Sequence, residues 1–294
     1  MKLARIRHQG RPRAVVVEDG TYALLPEAFT DLSAVVAGGE DALTEVGRAL
    51  RTAERVPADD SVLLAPLSRF NRDILCTGWN YLDHFYEGVG LREGQEVELP
   101  KRPTFFTKGP DTVIGPRDPI AYDPEVSTKW DYEAELALVI GKAGRSVPES
   151  RAFDHVWGYM LANDVSLRDL QRAHGGQWLK GKSIDRTLPI GPWLVTADEV
   201  DVTAVRLRCE VNGEVLQDAS TGQMAFPVPR LIAELSFGMT IRPGDVLLTG
   251  TPSGVGNARD PQRFLREGDE VVVSGTGLGE LRNVVSRVDL HSPC

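Results

Sequence analysis

The segment Asp131-Tyr132-Glu133-Ala134-Glu135-Leu136-Ala137-Leu138-Val139-Ile140-Gly141 carries two carboxylates one residue apart at the head of an apolar run. Side chains alternate faces along a strand, so Glu133 and Glu135 share a face and Ala134 points away. Two carboxylates on one face repel unless a cation or a proton lies between them, and their oxygens suit a hard divalent ion. An isolated Glu-x-Glu is also what a solvated strand edge looks like. The run from Leu136 to Ile140, however, predicts a buried strand that carries Glu135 inward. Asp164 follows the apolar pair Leu161-Ala162 and Asn163. It is either a third oxygen ligand or, read alone, a helix cap before Val165-Ser166-Leu167-Arg168. With Glu133 and Glu135 it would complete a three-carboxylate site with positions open for water and substrate.

His84 and Glu87 stand three apart in Gly78-Trp79-Asn80-Tyr81-Leu82-Asp83-His84-Phe85-Tyr86-Glu87 and share a face if this segment is helical. A carboxylate partner orients an imidazole for general-base work; the plain alternative is a surface histidine with an incidental neighbour. His8, His155, His174 and His291 have no comparable setting. Lys108 follows Phe105-Phe106-Thr107, and Lys182 closes Trp178-Leu179-Lys180-Gly181-Lys182. Each is either a solvated charge or, beside a metal site, a group that binds a carboxylate or polarises a carbonyl. The loop Leu248 to Gly256 offers backbone N–H groups and hydroxyls to an anion. It lacks the ending of a P-loop and the spacing of a dinucleotide fingerprint, so nucleotide binding is not expected.

These groups need a scaffold, and the pattern predicts a mixed α/β, mostly β chain. The 294 residues suggest one large domain or two, divided here into an N-terminal variable α+β module over 1–70 and a catalytic domain over 71–294. Strands are expected at Leu3–Ile6 and Ala14–Val17, joined through Gly10-Arg11-Pro12, with a turn at Asp19-Gly20. Helical spacing runs from Asp41 to Arg55, and 56–61 reads as a connector. The polar stretch 85–102 reads as a mobile loop or short lid helix before the strand Thr104–Thr107. Ser146 and Glu149 predict a capping box opening a helix toward Trp157. Asn212-Gly213 is a hairpin signal, Pro227–Leu235 looks helical, and strands follow at Val246–Thr249, Glu270–Val273 and Glu280–Val288.

A net charge of −9 argues against nucleic acid as partner. No apolar run reaches the roughly 18 residues of a membrane span, and the first residues carry no signal-peptide core. Cys76, Cys209 and Cys294 are too few and too scattered for a disulfide framework or a zinc cluster. A cytoplasmic, reduced enzyme is expected.

Taken together, Gly78 to His84, Pro103 to Lys108, Asp131 to Gly141, Asn163 to Gln171, Lys180 to Ser183, Val211 to Glu214 and Leu248 to Gly256 resemble the fumarylacetoacetate hydrolase superfamily, in its prokaryotic, acylpyruvase-like branch. The motifs cover roughly residues 70 to 288. The resemblance implies a β-sandwich roll assembled as a homodimer, with one Mg²⁺ or Mn²⁺ per subunit held by Glu133, Glu135 and Asp164. It implies a His84–Glu87 general base on a lid, with Lys182 near metal and substrate. Substrate contacts are expected from Tyr81, Lys108, Arg168, Gln171 and Thr251, and specificity from the lid with Trp79, Tyr86 and Trp178. The implied reaction is hydrolysis of a carbon–carbon bond in a small 2,4-dioxo acid. Decarboxylation of an oxaloacetate-like acid, isomerisation or hydration of a 2-oxo acid, and silent metabolite binding are the alternatives.

Overall fold

The computed structural model describes residues 1–91 and 97–292. The run Ala134–Ile140 is a strand with every residue buried, because it lies inside a sheet covered on both faces. On one side it pairs antiparallel with Val156–Asn163 and on the other with Val246–Leu248. Leu136, Leu138 and Ile140 point into a core shared with Leu207, Cys209, Val271, Val273 and Leu281. These belong to a second, five-stranded sheet formed by Glu214–Ser220, Arg206–Val211, Glu270–Gly275, Gly279–Arg287 and Ile120–Tyr122. Ala137 and Val139 point the opposite way, into a core with Val35 and Val36 of the helix Leu32–Ala49. The result is a β-sandwich with helices on its flanks, mostly β as the pattern predicts.

The first sheet counts 12 strands among the described residues. Strands Lys2–His8, Arg11–Glu18, Thr21–Leu24 and Arg55–Pro57 extend it through the pairing of Lys2 and Leu3 with Val195 and Leu194 of Leu188–Thr196. On the other flank, Val246–Leu248 pairs parallel with Ile74–Gly78, which pairs with Thr104–Lys108. Among the described residues no helix is long and apolar enough to cross a membrane.

Several local expectations shift. The first hairpin turns at Gln9-Gly10, both at positive φ, and Pro12 sits within the second strand. The N-terminal helix spans Leu32–Ala49 rather than 41–55. Asp31 caps it by accepting the Ser33 N–H, and a kink at Gly39 breaks the apolar spacing on which the shorter reading rested. Arg55–Pro57 is a strand. Ser146 builds no capping box: Pro148 stands at the N-cap of a 3₁₀ helix over Glu149–His155, and Ser146 Oγ accepts from Gly238 N instead. The Asn212-Gly213 hairpin forms, with both residues at positive φ. Of the stretch 85–102, the first residues end the helix Leu82–Glu87, and 92–96 lie outside the described residues. Cys294 lies outside them too.

Candidate metal centre and active site

Strand pairing brings the three carboxylates together. Ala134 is registered with Asn163, so Glu133 and Asp164 continue just beyond the paired ends, and Asp164 N donates to Glu133 O at 2.9 Å. Asp164 therefore directly follows a strand and caps no helix; the next helix begins at Arg168. One oxygen from each of Glu133, Glu135 and Asp164 lies within 4.8 Å of the other two, and all three side chains are buried.

Three cations surround them. Lys182 Nζ donates to Glu133 Oε2 at 2.8 Å and to Asp164 Oδ2 at 2.7 Å. Lys108 Nζ lies 2.9 Å from Asp164 Oδ1 and donates to Val165 O at 2.8 Å. Arg168 Nη2 lies 2.7 Å from Glu133 Oε1, while its Nε donates to Asp131 Oδ2 at 2.8 Å. Burial alone would push the Glu133 carboxyl up, but Lys182 and Arg168 outweigh it and hold it at about 2. Burial works against the Lys182 ammonium as well, yet Asp164 and Glu133 raise its pKa, so it stays charged and acts as a fixed positive group, not as a base.

Glu135 is the exception. Burial and the charges of Asp164 and Glu133 push its carboxyl well above the usual range, against Lys182 and the Gly250 N–H donated to its Oε2 at 2.7 Å. Counted as ionised, four buried carboxylates, Asp131 included, face three buried cations and stand one counter-charge short, the deficit that a proton on Glu135 meets in the metal-free protein. An all-oxygen donor set with one carboxylate short of a counter-charge fits a hard divalent cation such as Mg²⁺ or Mn²⁺.

Over this cluster lies the helix Leu82–Glu87. His84 Nδ1 donates to Glu87 Oε1 at 2.7 Å, and Glu87 Oε2 accepts from Gly254 N at 2.7 Å. Gly254, at φ +103°, is required there, because a Cβ would come within 2.0 Å of Leu216 O. His84, Glu87, Glu133, Glu135, Arg168 and Lys182 line one cavity together with Gln171, Arg172, Thr251 and Asn257. Trp79, Phe106 and Trp178 form an aromatic wall of the same cavity, with ring centroids 4.8 Å apart for Trp79–Trp178 and 5.1 Å for Phe106–Trp178.

Some predicted contacts fall elsewhere. Lys108 is fully buried behind Asp164, outside the cavity lining, so its position is that of a brace for a carboxylate rather than a substrate contact. Tyr81 is buried and lines a separate cleft with Asp83, Asp218 and Pro252, because it precedes the helix and pairs with Met224. Tyr86 is 58% exposed and also outside the lining. Thr251 lines the cavity, but its hydroxyl donates to Ala134 O at 2.9 Å and accepts from Gln217 Nε2 at 2.8 Å. Sequence reading missed Asp131, whose carboxylate accepts from Arg168 and from the N–H groups of Gly256 (2.7 Å) and Asn257 (3.0 Å). It also missed Asn257 and Gln217. Asp131 stood within sight beside the glutamates; Gln217 carried no signal.

A β-sandwich that buries an acidic triad under a histidine-bearing helix carries the groups of an acid–base enzyme site. The chain belongs to the fumarylacetoacetate hydrolase family: the family model described as fumarylacetoacetate (FAA) hydrolase C-terminal matches residues 73–286, and one described as Rv2993c-like, N-terminal, matches residues 1–66. Among its relatives, the mitochondrial oxaloacetate tautomerase fahd2 of Xenopus laevis is 44% identical over 250 residues, 84% of this chain and 76% of that protein. The fumarylacetoacetate hydrolase of Exiguobacterium antarcticum is 37% identical and superposes with a TM-score of 0.85 over 98% of this chain and 100% of that one. Maleylpyruvate hydrolase of Sphingobium sp. SYK-6, solved with manganese(II) and pyruvate, is 28% identical with a TM-score of 0.78, again over 98% and 100% of the two chains.

Proposed function

We propose that this protein is a divalent-metal-dependent enzyme that moves a proton at the carbon beside the carbonyl of a small 2-oxo acid, and that keto–enol tautomerisation of oxaloacetate is its reaction. The observation that carries this reading is the His84–Glu87 pair, 2.7 Å apart and facing the cavity that holds Glu133, Glu135 and Lys182. The tautomerase relative supports the choice of reaction. Glu87, as acceptor, keeps the proton on His84 Nδ1 and leaves Nε2 free to take a proton from substrate carbon and return it to oxygen. Tautomerisation needs one such base and no attacking water. Lys182 supplies a fixed positive charge beside the developing enolate, and Arg168 and Gln171 orient the carboxylate end. Trp79, Phe106 and Trp178 shield the planar part of the substrate from water. Glu133, Glu135 and Asp164 would hold the Mg²⁺ or Mn²⁺, which when bound supplies Lewis-acid stabilisation of negative charge on oxygen.

Hydrolysis of a carbon–carbon bond in a 2,4-dioxo acid is the second reading. It is favoured by the same dyad, which can deprotonate a water instead of a carbon, and by the likeness to maleylpyruvate hydrolase. Assembly as a homodimer belongs to the proposal as well, and sedimentation reads it. The deciding experiment follows oxaloacetate enol absorbance and acylpyruvate cleavage side by side, with Mg²⁺ or Mn²⁺ and with EDTA. Accelerated, EDTA-sensitive enol–keto exchange is expected. Metal-dependent cleavage of acylpyruvate with no effect on the exchange would replace the first reading by the second.

A further inference from the structure

The strand Val246–Leu248 accompanies Ala134–Ile140 only as far as Ala137, opposite Leu248. Past that point one more backbone bond, from Thr249 N to Leu136 O at 3.0 Å, is followed by side chains that continue the ladder. Thr249 Oγ1 donates to Leu136 O at 2.9 Å, and Thr251 Oγ1 donates to Ala134 O at 2.9 Å. Gln217, reaching across from the second sheet and 1% exposed, closes the row. Its Oε1 accepts from Ala134 N at 2.9 Å, and its Nε2 donates to Thr251 Oγ1 and to Pro252 O, both at 2.8 Å. Ala134 lies between Glu133 and Glu135. Its N–H belongs to the peptide after Glu133 and its C=O to the peptide before Glu135. One closed ring of three residues thus fixes both peptide planes between the two carboxylates. Only an amide side chain suits this place, since it must accept at one atom and donate twice at the other.

We infer that Gln217 is a positioning residue for the Glu133–Glu135 pair, setting the separation at which the two carboxylates receive a divalent ion. The inference rests on the reading of the acidic triad as a metal site. Groups that hold metal ligands from behind typically cost about 10–100-fold in metal affinity when removed.

The test is Mn²⁺ binding by the full chain, followed by the electron paramagnetic resonance of free and bound ion, for wild type, Gln217→Met, Gln217→Glu and Cys209→Ala. Cys209 is buried in the same sandwich core, opposite Gln217 in the strand register, but makes none of the hydrogen bonds of the ring, so its variant reports loss of packing beside Gln217 with the ring itself kept. Wild type is expected to bind one Mn²⁺. Gln217→Met should raise Kd about tenfold or more and alter the bound-ion spectrum, whereas Cys209→Ala lowers Tm and leaves Kd unchanged. If Gln217→Met does not fold, Gln217→Glu, which keeps the shape and loses both donors, gives the same reading. Wild-type affinity and spectrum in the Gln217 variants, or a loss no larger than that of Cys209→Ala, would overturn the inference with the metal site intact. Absence of Mn²⁺ binding by wild type would remove the metal site and the inference together.

Discussion

Glu87 holds Gly254: its Oε2 accepts the Gly254 N–H at 2.7 Å while its Oε1 accepts from His84 at 2.7 Å. One carboxylate therefore fastens the helix Leu82–Glu87 to the 249–258 loop and orients the imidazole. Replacing Glu87 with Gln keeps an acceptor toward one partner only, since the amide nitrogen would face a donor on the other side. Glu87→Gln is expected to lower kcat by about 10²–10⁴, the range for losing a positioned acid–base group. His84→Ala should do the same, and the double variant should be no worse than either single one. Additive losses in steady-state kinetics would show that the two do not act as a unit.

Gly254 is the rigid end of that latch. Its φ of +103° and the 2.0 Å approach of a Cβ to Leu216 O leave no room for alanine. Gly254→Ala should displace the loop, cost roughly 1–3 kcal/mol in backbone strain, and lower kcat by releasing Glu87. Gly277→Ala, also at positive φ but in a turn with open space, should cost stability without lowering kcat. Thermal melts and turnover of the two variants separate strain from positioning.

Much of this site is legible in the chain. Glu133 and Glu135 share a face because strands alternate, and the apolar run after them needs burial; the period of two is enough to place both. His84 and Glu87 are readable for the equivalent helical reason. The convergence of Asp164 is not, because it depends on the register of Ala134 with Asn163, which no local pattern encodes. Lys108 and Tyr81 lie in the right motifs but outside the cavity lining, since a motif marks a segment and not the direction of a side chain. Gln217 is farther still: it acts through a contact between sheets 83 positions away in sequence. The helix Leu32–Ala49 was obscured locally, by Gly38-Gly39 interrupting its apolar spacing.

Lys182 bridges Glu133 and Asp164, so removing it leaves two buried carboxylates without their shared cation. Breaking a buried ion pair from one side costs about 3–5 kcal/mol. Lys182→Met should lower the Tm of metal-free protein and should gain more from added Mg²⁺ than wild type does, because the ion restores the missing positive charge. Differential scanning calorimetry with EDTA and with Mg²⁺ gives both values. An equal Mg²⁺ shift in the two proteins would mean that the lysine and the ion do not share the same charges.

Glu135, pushed well above the usual carboxylate range by burial and by Asp164 and Glu133, holds a proton that a cation must displace. Its folded pKa is raised, so in metal-free protein its contribution to stability is complete below the unfolded value and is lost as pH rises through the folded one. Ion binding at neutral pH should therefore release protons. Titration calorimetry of Mn²⁺ in buffers of different ionisation enthalpy measures the number, and Glu135→Gln should reduce it. A buffer-independent enthalpy for wild type would contradict the assignment.

Asp31 tests the opposite sign, far from the cavity. It caps the helix Leu32–Ala49, accepting from Ser33 N at 2.7 Å, from Ser68 N at 3.1 Å and from the Ser68 hydroxyl, with Arg5 Nη1 3.8 Å away. Burial pushes this carboxyl up, but the hydrogen bonds from Ser68 and Ser33 and the charge of Arg5 bring it below its ordinary value of 3.8. With the folded pKa depressed, the stabilisation is present above the unfolded value and disappears as pH falls through the folded one. Asp31→Asn should cost about 1–3 kcal/mol at pH 7, where a charged cap with several donors is replaced by a neutral one. Below the folded pKa the wild-type carboxyl is neutral as well, so the gap between the two proteins should narrow. Denaturant unfolding at pH 7 and near pH 3 reads it, and a gap of equal size at both values would show that the charge of Asp31 contributes nothing to holding the helix on the sheet.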